Sequence, residues 1–206
     1  MSKVVKVAPL EECFSITWRL SKRCNYDCMY CSPQWHDDSS KHHLLDDLKK
    51  YWIDIYSKTS GRGLKYKIAF TGGEVTNSKH LMPFIEWIHA EYKNQIHQIL
   101  ITTNGSATFD YYSKLFEYVD NITFSVHSEH IDEQVFFETV TRLKKTIDAS
   151  KFIHVSIMDE FWNTDRIEKY KDLLLSAGIS YNVNTVNYAH QTRSYPIFKG
   201  KLNLEL

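Results

Sequence analysis

The chain has 206 residues, 43% of them apolar, and its 25 lysines and arginines balance 25 aspartates and glutamates. That length suits one sizeable core in a single domain, and the balanced charge excludes the overall positive field with which non-specific nucleic-acid binders collect phosphates. No segment approaches the roughly 18 to 20 apolar residues of a membrane span, and the opening "MSKVVKVAPLEEC" lacks the apolar run of a signal peptide, so the expected location is the cytoplasm.

Residues 1–13 read as an N-terminal extension, 14–186 as the folded body and 187–206, with Pro196 and Gly200, as a tail. Within the body two periods alternate. "FSITWRL" alternates apolar and polar residues, whereas Leu44, Leu45, Leu48, Tyr51, Trp52, Ile55 and Tyr56 recur at helical spacing. The pattern repeats as "KYKIAFT" before Leu81, Ile85, Ile88 and Tyr92, and as "HQILITT" before Tyr111, Tyr112, Leu115, Phe116 and Val119. It continues as "NITFSVH" before Ile131, Val135, Phe136, Val140, Leu143 and Ile147, and as "FIHVSIM" before Ile167, Tyr170, Leu173 and Leu174. Gly178 is placed to stop that last helix, and "SYNVNTV" reads as a sixth strand. Six strands joined through five helices predict an α/β fold on a mostly parallel sheet.

Strand faces say more than strand number. With Ile122, Phe124 and Val126 turned toward the helices, Thr123, Ser125 and His127 turn the other way, because side chains alternate with period two. The same split sets Thr17 and Arg19 opposite Ile16 and Trp18, Thr102 and Asn104 opposite Ile101, and His154 and Ser156 opposite Ile153, Val155 and Ile157; Asn182 and Asn184 extend it to the last strand. A sheet packed dry on both faces reads as continuous Val, Ile and Leu. The polar face here predicts a partly open barrel whose lumen holds a polar ligand, with a solvent-exposed sheet face as the simpler alternative.

Directly after the first strand comes "SKRCNYDCMYCSPQWHD", which holds three of the four cysteines. In a reducing compartment Cys24, Cys28 and Cys31 are ligands or catalysts rather than disulfide partners. Three ligands fall one short of a structural zinc site, for which Cys13 and His36 are the nearest fourth candidates. A four-iron four-sulfur cluster held by three cysteines keeps one iron open to a further ligand.

The C-x3-C-x-aromatic-C spacing of "CNYDCMYC", followed by "FTGGEVTN" at the end of the second strand, resembles the radical S-adenosylmethionine (SAM) superfamily. The resemblance runs from residue 14 to about 186 and implies a six-stranded partial (β/α)6 barrel, with Cys24, Cys28 and Cys31 holding a four-iron four-sulfur cluster and SAM chelating the open iron. It implies reductive cleavage of SAM to methionine and a 5′-deoxyadenosyl radical that abstracts hydrogen from a substrate. Tyr30 takes the aromatic place. Gly72 and Gly73 are expected to let backbone approach the SAM ammonium, with Glu74 adding charge. Asn104 in "TTNG" and Ser125 resemble positions that touch SAM or substrate in relatives; the fifth strand, "HVSIMDE", lacks the glycine motif of some members. His127 is the candidate for substrate binding or proton transfer, and Arg19, the other catalytic candidate, for pairing with a carboxylate or bracing the loop; His154 faces the lumen as well but, like the stretch "WHDDSSKHH", is read as structural or solvated. Cys13 is expected as a buried small apolar side chain.

No extra cysteine-rich C-terminal region is present, so a minimal single-cluster enzyme is expected. It is similar in size to 7-carboxy-7-deazaguanine synthases and glycyl-radical activating enzymes, and in wording to the molybdopterin-precursor cyclase branch. The implied partners are a small-molecule or peptide substrate and a reductase such as flavodoxin or ferredoxin, with no nucleic-acid polymer or membrane. Two competing readings are a non-enzymatic zinc or iron-sulfur module using Cys24, Cys28, Cys31 and His36, and a SAM-binding relative without catalysis.

Overall fold

The computed structural model describes residues 13–32, 34, 37–160 and 163–186. The expected extension before Cys13 and the tail after residue 186, together with His36, lie outside the described residues. Strands β1 (Cys13–Arg19), β2 (Lys65–Thr71), β3 (Ile96–Thr103), β4 (Asn121–Val126), β5 (Phe152–Asp159) and β6 (Ser180–Thr185) form one six-stranded parallel sheet. They pair in chain order, with β1 and β6 as the two edges. Helices α1 (Leu45–Thr59), α2 (Leu81–Tyr92), α3 (Phe109–Leu115), α4 (Glu133–Thr146) and α5 (Thr164–Ser176) make the crossovers. Because each crossover joins neighbouring strands with the same hand, all five helices pack on one face of the curved, unclosed sheet. This is the expected partial barrel.

The buried face follows the period-two pattern. Ile68, Phe70, Ile101, Ile122, Phe124, Val126, Ile153, Val155 and Ile157 are buried against Trp52, Phe84, Ile85, Tyr112, Leu143 and Tyr170 from the helices. Each such side chain contributes about 1.5–3 kcal/mol relative to its exposed state. The opposite face carries half-buried Thr123, Ser125, His154, Ser156, Asn182 and Asn184. There His154 Nε2 lies 2.7 Å from Asn182 Oδ1, which also accepts from Ser156 Oγ at 3.0 Å, and Asn182 Nδ2 donates to Asn184 Oδ1 at 2.6 Å.

Local signals end the helices where the sequence directs. Asp132 accepts from Val135 N and Thr108 from Tyr111 N, capping α4 and α3. Gly178, at φ +64°, closes α5 while Ile179 N donates back to Leu174 O. Two expectations need correction. The helix after β3 ends at Leu115, because Asp120 is drawn into the sheet by Asp120 N to Ile99 O and Ile99 N to Asp120 Oδ2; Phe116 and Val119 bury from turns that keep the helical spacing. Cys13 is half-buried rather than buried, since it opens an edge strand with a neighbour on one side alone.

Candidate active site

At the C-terminal end of the sheet, parallel pairing of β1 and β2 carries on past both strands. Leu20 N donates to Thr71 O, Gly73 N to Ser21 O at 2.8 Å and Glu74 N to Arg23 O at 2.9 Å, so the start of the cysteine loop lies directly on the Gly-Gly-Glu turn. This contact explains the glycines. A Cβ on Gly72, whose φ is +147°, would stand 2.4 Å from Ser21 O, and one on Gly73 would stand 2.3 Å from Arg23 O and 2.4 Å from Lys22 O. Both excluded Cβ positions face the protein's own backbone, a requirement for glycine that is separate from the expected approach of a ligand.

Glu74 is buried and holds two strand ends together. Its Oε1 accepts from Thr76 N, Thr76 Oγ1 and Thr103 Oγ1, and its Oε2 from Asn104 N at 2.6 Å. All four donors are neutral, so no cation takes part in these four bonds. Asn104 in turn donates from Nδ2 to Asn25 Oδ1 at 2.9 Å and sits 4.0 Å from Cys24 Sγ.

Cys24, Cys28 and Cys31 line one cavity of about 190 Å³ with Tyr26, Tyr30, Thr71, Gly72, Gly73, Glu74, Thr102, Thr103, Asn104, Ser125 and His127. Burial raises all three thiols above the usual range, and repulsion from Cys31 raises Cys24 and that from Cys24 raises Cys28. As thiolates they would repel one another across this space unless positive charge stood between them, which suits a cationic inorganic core. Among the described residues no three His, Cys, Asp or Glu side chains converge on a single metal ion. A cuboidal cluster asks for something different, one thiolate on each of three separated irons. Three thiols around one cavity supply such a donor set.

A second network pins the inner part of the loop. The Tyr30 hydroxyl donates to Glu160 Oε1 at 2.8 Å and lies 2.5 Å from His127 Nδ1, while Ser128 Oγ donates to Glu160 Oε2. Met29 N donates to Glu129 Oε2 at 3.2 Å, Tyr26 stacks on His130 at 4.9 Å, and Asp27 lies 3.3 Å from His130 Nε2. With its proton committed to Glu160, the Tyr30 oxygen accepts from His127 Nδ1–H, which leaves Nε2 as the acceptor of that imidazole. Burial, reinforced by His130, lowers the His127 pKa to about 4, so the ring is neutral at physiological pH. Burial also raises Glu160 above the ordinary carboxyl range and Tyr30 far above the phenol range.

Ten of the eleven candidate residues thus line this cavity, and Arg19 does not. Arg19 is exposed on edge strand β1, its stem against Gly72. His154 bonds Ser180 and Asn182 within the sheet, in keeping with a structural role. His42 is half-buried and His43 packs on Tyr51. Glu160 escaped the sequence reading, although period two along "HVSIMDE" sets it on the same face as His154 and Ser156. Tyr26, Thr71, Thr103 and Ser128 escaped as well.

Comparison with known proteins places these features in context. The model of the Radical SAM superfamily matches residues 18–154. Curated relatives include the GTP 3′,8-cyclase of Campylobacter jejuni subsp. doylei, 34% identical over 92 residues, covering 45% of this chain and 28% of the cyclase. The probable GTP 3′,8-cyclase of Methanocaldococcus jannaschii is 32% identical over 91 residues, covering 44% and 28%. That of Desulforamulus reducens is 27% identical over 139 residues, covering 67% and 41%. The chain thus spans less than half the length of these relatives. The solved structure of polyhistidine-tagged anSMEcpe with bound AdoMet superposes with a TM-score of 0.60 at 16% identity, over 84% of this chain and 49% of that one, a likeness of fold.

Proposed function

This chain belongs to the radical SAM superfamily, and we propose that Cys24, Cys28 and Cys31 are the ligands through which it carries out that family's reaction on a small polar or peptide substrate. Enzymes of this class use a four-iron four-sulfur cluster and SAM. When bound, the cluster supplies the electron that splits SAM into methionine and a 5′-deoxyadenosyl radical able to take hydrogen from a substrate. The observation that carries the assignment of residues is the shared cavity: three cysteines, the Gly-Gly-Glu turn, Asn104, Ser125 and His127 around one space.

Each residue has a task the geometry supports. Glu74 holds a negative charge, and the carbonyls of the 71–73 turn supply acceptors, for the ammonium of a bound amino acid. Tyr30 lines the cavity while its hydroxyl locks the loop to Glu160. Asn104 and Ser125 present neutral donors and acceptors at the ends of β3 and β4. Neutral His127, with Nε2 as acceptor, binds a substrate N–H or O–H or takes its proton. The hydroxyls, amides and imidazole along the inner sheet face suit a substrate rich in hydrogen-bonding groups, and similarity to GTP 3′,8-cyclases makes GTP the first compound to try.

The deciding experiment is anaerobic reconstitution followed by reduction with dithionite in the presence of SAM. We expect about four irons and four sulfides per chain and release of 5′-deoxyadenosine. One tightly held zinc with no iron uptake overturns the reading.

A further inference from the structure

Parallel register rules the inner face of the sheet into rows. Thr123, His154 and Ser180 share one row, Ser125, Ser156 and Asn182 the next, and Met158 pairs with Asn184 in the row at the C-terminal end. One step past the Val126–Ile157 pair sets His127 beside Met158 on that last row. None of these side chains is a carboxylate, a lysine or an arginine.

The hydrogen bonds among them run in one direction. Asn182 Oδ1 accepts from Ser156 Oγ at 3.0 Å and lies 2.7 Å from His154 Nε2, so that nitrogen carries the imidazole proton. His154 Nδ1 then accepts from Ser180 Oγ at 2.9 Å, a shorter contact than the 3.3 Å from the same hydroxyl to Ile153 O. Onward, Asn182 Nδ2 donates to Asn184 Oδ1 at 2.6 Å. The chain ends on Asn184 Nδ2, whose acceptor among the described residues is the thioether of Met158 at 4.0 Å. Sulfur of this kind accepts weakly, which leaves half-buried Asn184 with an N–H to give. Across Met158 the demand is the opposite: His127 Nδ1 is engaged with Tyr30, and Nε2 is an acceptor.

We infer that the substrate carries an amide, its N–H given to His127 Nε2 and its carbonyl oxygen accepting from Asn184 Nδ2, with the group lying over Met158; this rests on the function proposed above. The spacing suits it. Adjacent strands stand about 4.8 Å apart, so two steps separate the Cα atoms of His127 and Asn184 by roughly 9.6 Å, while an amide with a hydrogen bond at either end spans about 8 Å. A row without formal charge fits a neutral group, because an ion placed there would lose hydration and gain no counter-ion. Asn184 is thus a substrate-binding residue, and Asn182 and His154 are positioning residues that fix which end of its carboxamide is free to bind. The same N–H and C=O pair occurs in a peptide bond and in the ring lactam of a nucleobase.

The test is equilibrium dialysis of the reconstituted protein with SAM present and no reductant. Two probe pairs distinguish the sources of the amide: guanosine against 1-methylguanosine, and N-acetylglycylglycinamide against the same peptide methylated at each amide nitrogen. We expect at least one parent compound to bind about tenfold more tightly than its methylated partner, and the pair that shows this margin identifies lactam or peptide. Asn184→Asp keeps the size of the side chain but turns an acceptor toward the carbonyl, so affinity for that compound should fall about tenfold or more. A wild type that prefers neither parent compound overturns the amide subsite alone, as does equal or tighter binding by Asn184→Asp. A wild type that cleaves no SAM with dithionite overturns the proposed function, and the subsite with it.

Discussion

The hydroxyl of Tyr30, one residue before the third cysteine, donates to the fully buried carboxylate of Glu160, which lies just past the end of β5, across 2.8 Å. This bond ties the cysteine loop to the far half of the sheet, 130 residues on. Removing Glu160 leaves two hydroxyls, those of Tyr30 and Ser128, to find other partners. Glu160→Leu should destabilise the metal-free protein by ~2–3 kcal/mol in urea unfolding, whereas Glu160→Gln, which keeps an acceptor oxygen, should cost ~1 kcal/mol. Tyr30→Phe combined with Glu160→Gln should cost less than the two singles added together, since both remove one bond. Strict additivity would show that the contact carries no energy.

The Gly-Gly turn gives a sharper test because the obstruction is backbone rather than a movable side chain. Gly73→Ala drives a methyl into Arg23 O and Lys22 O, so the loop must lift away from β2. We expect a loss of ~2–4 kcal/mol and weakened iron retention under chelator challenge. Gly61→Ala, where nothing lies within 4 Å of the added carbon, is the control and should leave both measurements unchanged. A Gly73→Ala protein as stable as that control would disprove the close approach.

Glu74 accepts four hydrogen bonds from neutral donors across both oxygens. Glu74→Gln replaces one acceptor by a donor and sets an N–H against an N–H or O–H whichever way the amide turns. The expected cost is ~1–3 kcal/mol in apo stability, with a larger proportional loss in SAM affinity, measured by equilibrium binding to the reconstituted protein. Unchanged SAM affinity in a folded variant would leave Glu74 with its structural task alone.

The strand–helix alternation and the polar inner face were legible because period two and period 3.6 are local properties of the chain. Cys24, Cys28, Cys31 and the Gly-Gly-Glu turn were legible for the same reason, as spacings. What stayed hidden depended on contact between distant segments. Glu160 stands among acids that look solvated in "MDE" until Tyr30 and Ser128 reach it. The glycines were found, but their close approach to the cysteine loop was not, because pairing of residues 20–23 with 71–74 is a tertiary event. Arg19 has the right face parity, yet β1 is an edge strand and its end opens to solvent.

Neutral His127 makes a prediction about acid. Its folded pKa of about 4 lies below the ordinary value of 6.5, so the unfolded chain takes up the proton first. This residue's contribution is intact above pH 6.5 and is lost as pH falls toward 4. The urea midpoint of the metal-free protein should therefore fall more steeply between about pH 6.5 and 4.5 in the wild type than in His127→Gln. Parallel profiles would mean that the imidazole titrates normally. In the reconstituted protein the same variant should still release 5′-deoxyadenosine with dithionite and lose hydrogen transfer to substrate, which separates a substrate-side role from a role in SAM cleavage.

The four cysteines divide by position, and the division can be measured. Cys13 opens β1 and Cys24 follows its far end, so a seven-residue strand, at ~3.3 Å per residue, keeps Cys13 out of the cavity that the other three line. Cys13→Ala should retain full iron and sulfide after reconstitution, together with the visible absorption of the cluster. Cys28→Ala should lose both, because removing one of three thiolates leaves two irons of the cuboid without protein ligands. The Cys28 loop packs outside the sheet core, so its circular dichroism and solubility should be those of the wild type. Full iron content in Cys28→Ala, or its loss in Cys13→Ala, would reassign the ligands.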